Sequence, residues 1–240
     1  MAYNYLELVN EINRRLNEVE LTSSTFTTAK GFYQTAKDAI NSSIRHINHE
    51  EYNWPWNHRE EEEVLTAGIA RYPYPEDVKL LNMNSFRIKK NSTLNVATTK
   101  LTIMDYQEYL DNHVDTEYNT NTTIRSIPRF VVRTPSQEFI VLPNPDKAYE
   151  LVYEYYQNPV SLSLSSDVPS IPKEFQHVIV DGAMFYAYQF RGDVQGSQLA
   201  QQKFEQGIKY MRSLYINRYD YLRSSMIVSS HGVSSNPRLA

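Results

Sequence analysis

Apolar residues recur at three- and four-residue steps at both ends of this chain, whereas the roughly 100 residues between the two ends do not follow that period. The first periodic stretch covers about residues 4–19, and the second runs to about residue 48 after a break rich in serine and threonine. The stripe residues are Leu6, Val9, Ile12, Leu16 and Val19, then Ala29, Phe32, Ala36, Ile40, Ile44 and Ile47. We therefore predict two antiparallel helices, each with one apolar face to bury.

The C-terminal part of the chain predicts two further helices. Pro172 and Glu174 indicate a helix start, because proline is tolerated in the first turn and an acid there meets the positive end of the helix dipole. Gly182 lies inside this third helix, where its missing side chain would let another helix approach closely. The fourth helix should align Ala200, Phe204, Gly207, Ile208, Met211, Tyr215 and Leu222 on one side.

The central residues read as short strands separated by turns. Residues 78–89, 94–103 and 128–133 are strand-like, and residues 105–113 predict one short helix. The clearest signal is a hairpin in which Glu138–Leu142 turns through Pro143-Asn144-Pro145-Asp146 into residues 149–156. One face of its second strand should carry Tyr149, Leu151, Tyr153 and Tyr155.

These patterns predict an α+β fold, in which an antiparallel helical bundle of N- and C-terminal helices carries an inserted β-rich region, barrel or sandwich-like. The expected organisation is an N-terminal helical hairpin (1–56), the β-rich insertion (57–166), C-terminal helices that complete the bundle (167–225) and an extended tail (226–240). The tail is rich in serine, a composition that does not pack alone.

The composition limits the classes of function that the chain could perform. The absence of cysteine from the 240 residues excludes disulfides, thiolate zinc sites and cysteine nucleophiles. A net charge of −4 lacks the basic excess of a dedicated nucleic-acid binder. No apolar run reaches the roughly 18 residues that a membrane helix needs, and the first residues lack the apolar core of a signal peptide. We therefore expect a soluble protein, made inside a cell, that does not bind membranes.

Tyrosine is unusually frequent, with 19 residues against only 7 glycines. Tyrosine provides a large contact area with a polar tip, which suits protein interfaces. The same residues would also suit half-buried strand faces, and the sequence leaves both interpretations open.

Two clusters of ionisable residues could be taken for sites of chemistry. His46 and His49 have a spacing that metal sites use, with Glu50, Glu51 and His58 nearby, but surface histidines at a helix end explain them better. The second cluster is the run Glu60, Glu61, Glu62 and Glu63. Consecutive acids in a strand point to opposite faces and do not converge on a substrate. The run therefore predicts a solvated edge or the acidic lining of a channel.

Arg87, Lys89 and Lys90 form a small basic patch on a predicted strand, and a solvated strand face is favoured there over a phosphate contact. No phosphate-binding loop, nucleophile elbow or zinc-protease motif is present in the sequence. We therefore predict no enzymatic activity and no catalytic, cofactor-binding or metal-binding residues.

The order of several short motifs resembles the head-to-tail adaptor proteins of tailed bacteriophages, especially those related to the tail tubular protein A of short-tailed phages. A striped helix leads to a second helix that ends in Asn53-Trp54-Pro55-Trp56. The stretch Tyr72-Pro73-Tyr74-Pro75-Glu76-Asp77 is similar to a Tyr-x-Leu-Pro-x-Asp pattern of the group, with Tyr74 where leucine is usual. Residues 171–183, then Asp193, then a long helix complete the resemblance, which spans nearly the whole chain.

The resemblance implies a virion protein that assembles in the host cytoplasm into a ring of copies, generally twelve, below the portal and above the tail nozzle. DNA would pass through this ring during genome ejection without sequence-specific binding. In the family, C-terminal segments tend to reach into the portal, which would give the tail a docking role. The residues offered for that role are Ser224, Met226, Val228, Pro237 and Arg238. Glu60 to Glu63 would face the channel and repel DNA.

Two alternatives remain open at this stage. The first is another neck, tail or stopper ring protein, which differs from the adaptor only in its position in the particle. The second belongs to a different class, a small enzyme or carbohydrate-binding module that would use Trp54, Trp56 and Tyr74 as a platform for a sugar.

Overall fold

The structure is a computed structural model that describes residues 3–91, 96–118 and 121–216. Within these residues it is a mixed α+β fold, which confirms the predicted class. The helices are α1 (Tyr5–Arg15), α2 (Ser23–Phe26), α3 (Phe32–Glu50), α4 (Tyr106–Asn112), α5 (Val114–Tyr118), α6 (Gln176–Arg191) and α7 (Val194–Tyr215). Short 3₁₀ turns occur at Pro55–Asn57, Thr122–Ile124 and Lys173–Phe175. In the described part of the chain, none of these helices has both the length and the apolar character needed to cross a membrane.

The strands are β1 (His58–Val64), β2 (Arg71–Pro73), β3 (Val78–Ile88), β4 (Thr99–Lys100), β5 (Thr102–Met104), β6 (Phe130–Arg133), β7 (Glu138–Leu142) and β8 (Glu150–Gln157). Among the described residues they form two four-stranded sheets, with the orders β1-β8-β3-β4 and β2-β7-β6-β5. The pairing is antiparallel except between β5 and β6. The predicted barrel is therefore wrong, because the strands divide between two sheets and do not close.

Helices α1, α3, α6 and α7, which we call the helical region, share one apolar core. The predicted close approach at Gly182 occurs, because a Cβ atom there would collide with the Ser43 hydroxyl and the ring of Phe204. Ser43 also donates a hydrogen bond of 2.8 Å to the carbonyl oxygen of Ile179, which joins α3 to α6. The first helix ends earlier than predicted, and Val19 is 74% exposed instead of buried.

The two sheets enclose a second core, and a third, smaller cluster joins α4 to the β2-β7-β6-β5 sheet. The two sheets together with α4 and α5 make up the sheet region. The predicted hairpin is wrong, because β7 pairs with β6 and β2 whereas β8 pairs with β1 and β3. The chain between β7 and β8 therefore crosses from one sheet to the other. The predicted alternation in β8 is nevertheless correct. Leu151, Tyr153 and Tyr155 of β8 are buried, as is Tyr149 just before the strand, so these tyrosines pack in the core and do not form an exposed interface.

A lysine connects the two regions. The Lys79 ammonium on β3 donates hydrogen bonds to the carbonyl oxygens of Asn48 and Glu51, the latter at 3.1 Å, at the C-terminal end of α3. These carbonyls lack partners within the helix, so the lysine caps it. Burial lowers the pKa of Lys79, and the nearby charge of Glu51 acts in the opposite direction.

Candidate interaction surfaces

The acidic run of the sequence forms most of β1, which lies at the edge of its sheet. Its side chains alternate as predicted. In the antiparallel register Glu61 lies opposite Tyr153 and Glu63 opposite Leu151, on the face that is turned to the core. Glu60 and Glu62 lie on the other, exposed face. The four carboxylates therefore do not form a single surface.

The exposed face of β1 is a mixed-charge surface. The Lys89 ammonium lies 2.8 Å from a carboxylate oxygen of Glu62, and the Arg87 guanidinium lies 3.0 Å from Glu154 on β8 and 3.9 Å from Glu60. Arg87 and Lys89 from the predicted basic patch are thus paired with acids. Exposed pairs of this kind contribute little to stability, because water screens both charges. The surface keeps an acidic excess, because Glu150 on β8 lies on it too, 3.8 Å from Lys89.

On the inward face, the rim of the sheet core carries tyrosine hydroxyls that donate hydrogen bonds to carboxylates. The oxygen–oxygen distance is 3.5 Å from Tyr153 to Glu63. Further tyrosine–carboxylate pairs are Tyr155 with Asp77 (3.0 Å), Tyr149 with Asp146 (2.6 Å) and Tyr109 with Glu117. Burial raises the pKa of Glu63, and the charge of Glu61 adds to the effect. These pairs allow large aromatic side chains to be buried with their hydroxyls satisfied.

Glu117 is the centre of an ionic network that holds α4 and α5 against the sheets. The guanidinium of Arg71 on β2 forms two hydrogen bonds to its carboxylate, of 3.0 and 3.1 Å, and a third of 3.1 Å to Glu138 on β7. Burial of Glu117 acts to raise its pKa, but the hydrogen bonds from Arg71 and Tyr109 together bring the pKa below its usual value. Sequence reasoning missed this network, because its members are distant along the chain and share no motif.

The histidine cluster lines an open groove of about 480 Å³ on the surface of α3 and α6. The His46 ring nitrogen Nδ1 lies 3.2 Å from the Tyr186 hydroxyl, and its Nε2 lies 3.5 Å from Glu50. Among the residues that the structure describes, no three histidine or acidic side chains come together to hold a metal ion. His46 is therefore accounted for by its contacts with neighbouring residues.

The proposed sugar platform is wrong. Trp54 has no exposed surface, donates a 2.8 Å hydrogen bond to the carbonyl oxygen of Ile47 and stacks on Trp56 with a centroid distance of 4.6 Å. Tyr74 lies in the sheet region, where it stacks on Phe139. Because the three rings do not share one exposed surface, they cannot bind one sugar chain together.

The same tryptophans hold the end of α7. The ring of Tyr215 packs edge-on against Trp56 at 5.7 Å, and its hydroxyl donates a 2.6 Å hydrogen bond to Glu174. These contacts hold the C-terminal end of α7, which precedes the predicted docking tail in the sequence. The tail residues themselves, Ser224, Met226, Val228, Pro237 and Arg238, lie outside the described residues.

Comparison with known proteins gives one family. The model of a family described as the SU10 adaptor protein matches residues 3–228, which is nearly the whole chain. No curated protein matches the sequence.

Proposed function

This chain belongs to the SU10 adaptor protein family, a family of phage head-to-tail adaptors, and on that premise we propose that it joins the portal to the tail nozzle in the virion neck. The match over residues 3–228 carries the proposal and confirms the predicted family resemblance. The protein is a structural component of the virion and performs no catalytic turnover. It needs no cofactor, and its partners are further copies of itself, the portal and the nozzle.

We propose that the copies form a ring, with twelve as the expected number, around the path of the DNA. We assign the exposed face of β1 to the lining of the channel through which the DNA passes. Glu60 and Glu62, together with Glu150 and Glu154 of β8, outnumber the three cations on this surface, which are Arg87, Lys89 and Lys100. An acidic excess repels phosphates and keeps DNA from adhering. An image of the assembled particle with β1 away from the lumen would refute this assignment.

The tail supplies the contact with the portal in this proposal. A segment with few apolar residues cannot fold alone and can become ordered on a partner. The aromatic contacts of Tyr215 with Trp56 and Phe175 support this role, because they hold the end of the helix that precedes the tail in the sequence.

The test is to mix the full chain with the portal protein of the same phage and image the product by negative stain. We expect rings docked on the portal. A chain that stops after Ile216 serves as the matched variant and should assemble with itself but fail to bind the portal. Full-length protein that stays monomeric and never binds the portal would refute the proposal. Cross-linking to portal or to nozzle separates the adaptor position from that of another neck or stopper ring.

A further inference from the structure

Residues 158–172, between β8 and the third 3₁₀ turn, form a fixed connection that exposes apolar side chains. The Asn41 side chain bonds both the N–H and the carbonyl oxygen of Leu162, at 2.9 and 3.0 Å, and the Tyr5 N–H donates to the carbonyl oxygen of Asp167 at 2.8 Å. Three side chains point outward from this fixed backbone. They are Val160, Leu164 and Val168, with exposed fractions of 77, 65 and 62%, and we call them the apolar ridge.

A second exposed apolar surface lies on α7. Leu199, Tyr210 and Leu214 are 56, 57 and 55% exposed, although the buried side of the helix is already complete with Phe204, Ile208 and other residues. Steps of eleven and four residues bring these three side chains within about 60° of each other around the helix axis. We call this set the outer stripe. Scattered exposed apolar residues are ordinary, but an aligned set on a helix indicates a surface that is covered by a partner.

The two surfaces carry opposite charges. Lys203 follows Leu199 by one helical turn and places an exposed ammonium in the outer stripe. Asp167 stands between Leu164 and Val168 in the ridge, and its carboxylate accepts hydrogen bonds from the N–H groups of Ser163 and Leu164 at 2.7 and 2.8 Å. These hydrogen bonds lower the pKa of Asp167, so the ridge carries a negative charge at neutral pH.

The surfaces also belong to different elements with different packing partners. The ridge is hydrogen-bonded to α1 and α3, at Tyr5, Leu6 and Asn41, whereas α7 packs on α6. One chain thus presents both halves of a possible contact, on two different elements. Two copies that meet through unlike surfaces each keep one free ridge and one free stripe, so the same contact can repeat until a ring closes.

We propose that the apolar ridge of one copy docks on the outer stripe of the next copy, with Asp167 facing Lys203. The inference rests on the proposed ring and names the surfaces that build it. A second copy of this chain fits the outer stripe because the apolar character and the charges of the two surfaces are complementary.

The absence of cysteine from the chain allows a direct test. The full-length Val168→Cys/Leu199→Cys variant, mixed with the portal protein and oxidised, should give a ladder of covalently linked copies on a non-reducing gel, because Leu199 lies one helical turn from Lys203. Each single variant should remain unlinked, because a ridge meets a stripe and never another ridge. Val19→Cys/Leu199→Cys is the matched control, since Val19 is 74% exposed but outside the ridge, and it should give no ladder. Adding Lys203→Glu to the ladder-forming variant should lower the linked fraction about two- to fivefold.

The outcomes separate the inference from the function on which it rests. Dimers from a single variant would mean a contact between like surfaces and would overturn the inference. Oligomers by light scattering without a ladder would also overturn it, with the outer stripe covered by the portal or by residues 217–240, and would leave the adaptor function intact. Protein that stays monomeric with portal present would refute both.

Discussion

The helical region and the sheet region bury their polar groups in different ways. In the helical core, buried polar side chains bond the backbone, as when Asn10 pairs with both the N–H and the carbonyl oxygen of Leu21 at 2.8 Å. In the sheet region, the core is aromatic and its rim consists of the tyrosine–carboxylate pairs and the network around Glu117. Hydrogen bonds of neutral amides do not change with pH, whereas protonation of a carboxylate removes its charge and weakens the hydrogen bonds that it accepts. Acid should therefore weaken the sheets before the helices.

The chain contains its own reporter for this difference. Both of its tryptophans, Trp54 and Trp56, pack with the helical region, so tryptophan fluorescence follows that region alone. Hydrogen–deuterium exchange of peptides from β3, β7 and β8 follows the sheets. The apolar cores of the two regions are separate clusters, and Lys79 provides one of the polar links between them. We therefore expect two unfolding transitions.

The largest effect should come from truncating one large side chain in each core. Phe139→Ala in the sheets and Phe204→Ala in the helices should each cost about 3–5 kcal/mol, because both rings are buried and leave a cavity. Denaturant titration with both signals should show each variant lowering the midpoint of its own region only. Phe190→Ala is the control, since this ring is 62% exposed, and it should change stability by less than about 0.5 kcal/mol. A single shared transition that shifts in both variants would contradict the separation.

A smaller effect is expected from Glu117→Gln, with a defined pH dependence. The variant weakens the bonds to Arg71 and Tyr109 and should cost the sheet transition about 2 kcal/mol at pH 7. The pKa of Glu117 is lower in the folded chain, so the stability that it contributes is present above the unfolded value and is lost as pH falls through the folded value. Wild type and variant should therefore begin to converge as the pH falls below the ordinary glutamate pKa of about 4.3. Glu108→Gln on the exposed face of α4 is the control, and an equal loss there would rule out the network as the cause.

The smallest expected effect is a gain in stability, from the substitution of Glu63. Burial raises the pKa of Glu63, so wild-type stability decreases as pH rises through the folded value. Glu63→Gln removes this cost and should stabilise the sheet transition at pH 7 by a few tenths of a kcal/mol, a small gain because the group is partly solvated. Thermal melts at pH 7 and pH 4 should show the gain only at pH 7. Glu62→Gln, which loses its pair with Lys89, should show no gain.

Sequence periodicity predicted which faces of the helices are packed, but it did not predict where the helices end. The predicted positions Ile40, Ile44 and Ile47 are buried, because a period of 3.6 residues determines which side chains share a face. Val19 is exposed because α1 stops at Arg15 and Asn17 adopts a φ of +56°. Such a turn depends on local backbone contacts that an apolar pattern does not encode.

For the sheets, the sequence predicted the faces of strands but not their partners. The alternation of Glu60 to Glu63 and of the β8 tyrosines followed from the two-residue period. The wrong hairpin followed from assuming that neighbouring strands pair. The continuous apolar run from Phe139 to Leu142 was a usable signal, since a strand buried on both faces lies inside a packed structure. The ridge had no such signal, because three apolar residues in a serine-rich connection form no periodic pattern.

The pairing of β1 with β8 also has a consequence for synthesis on the ribosome. Glu63 and Tyr153 are 90 residues apart, so β1 leaves the ribosome long before its neighbour exists. Throughout that delay the nascent strand is unprotected, in a polysome crowded with identical chains. Four adjacent negative charges make edge-to-edge association of such strands unfavourable. The acidic run would thus protect the growing polypeptide from aggregation before it has any role in a finished particle.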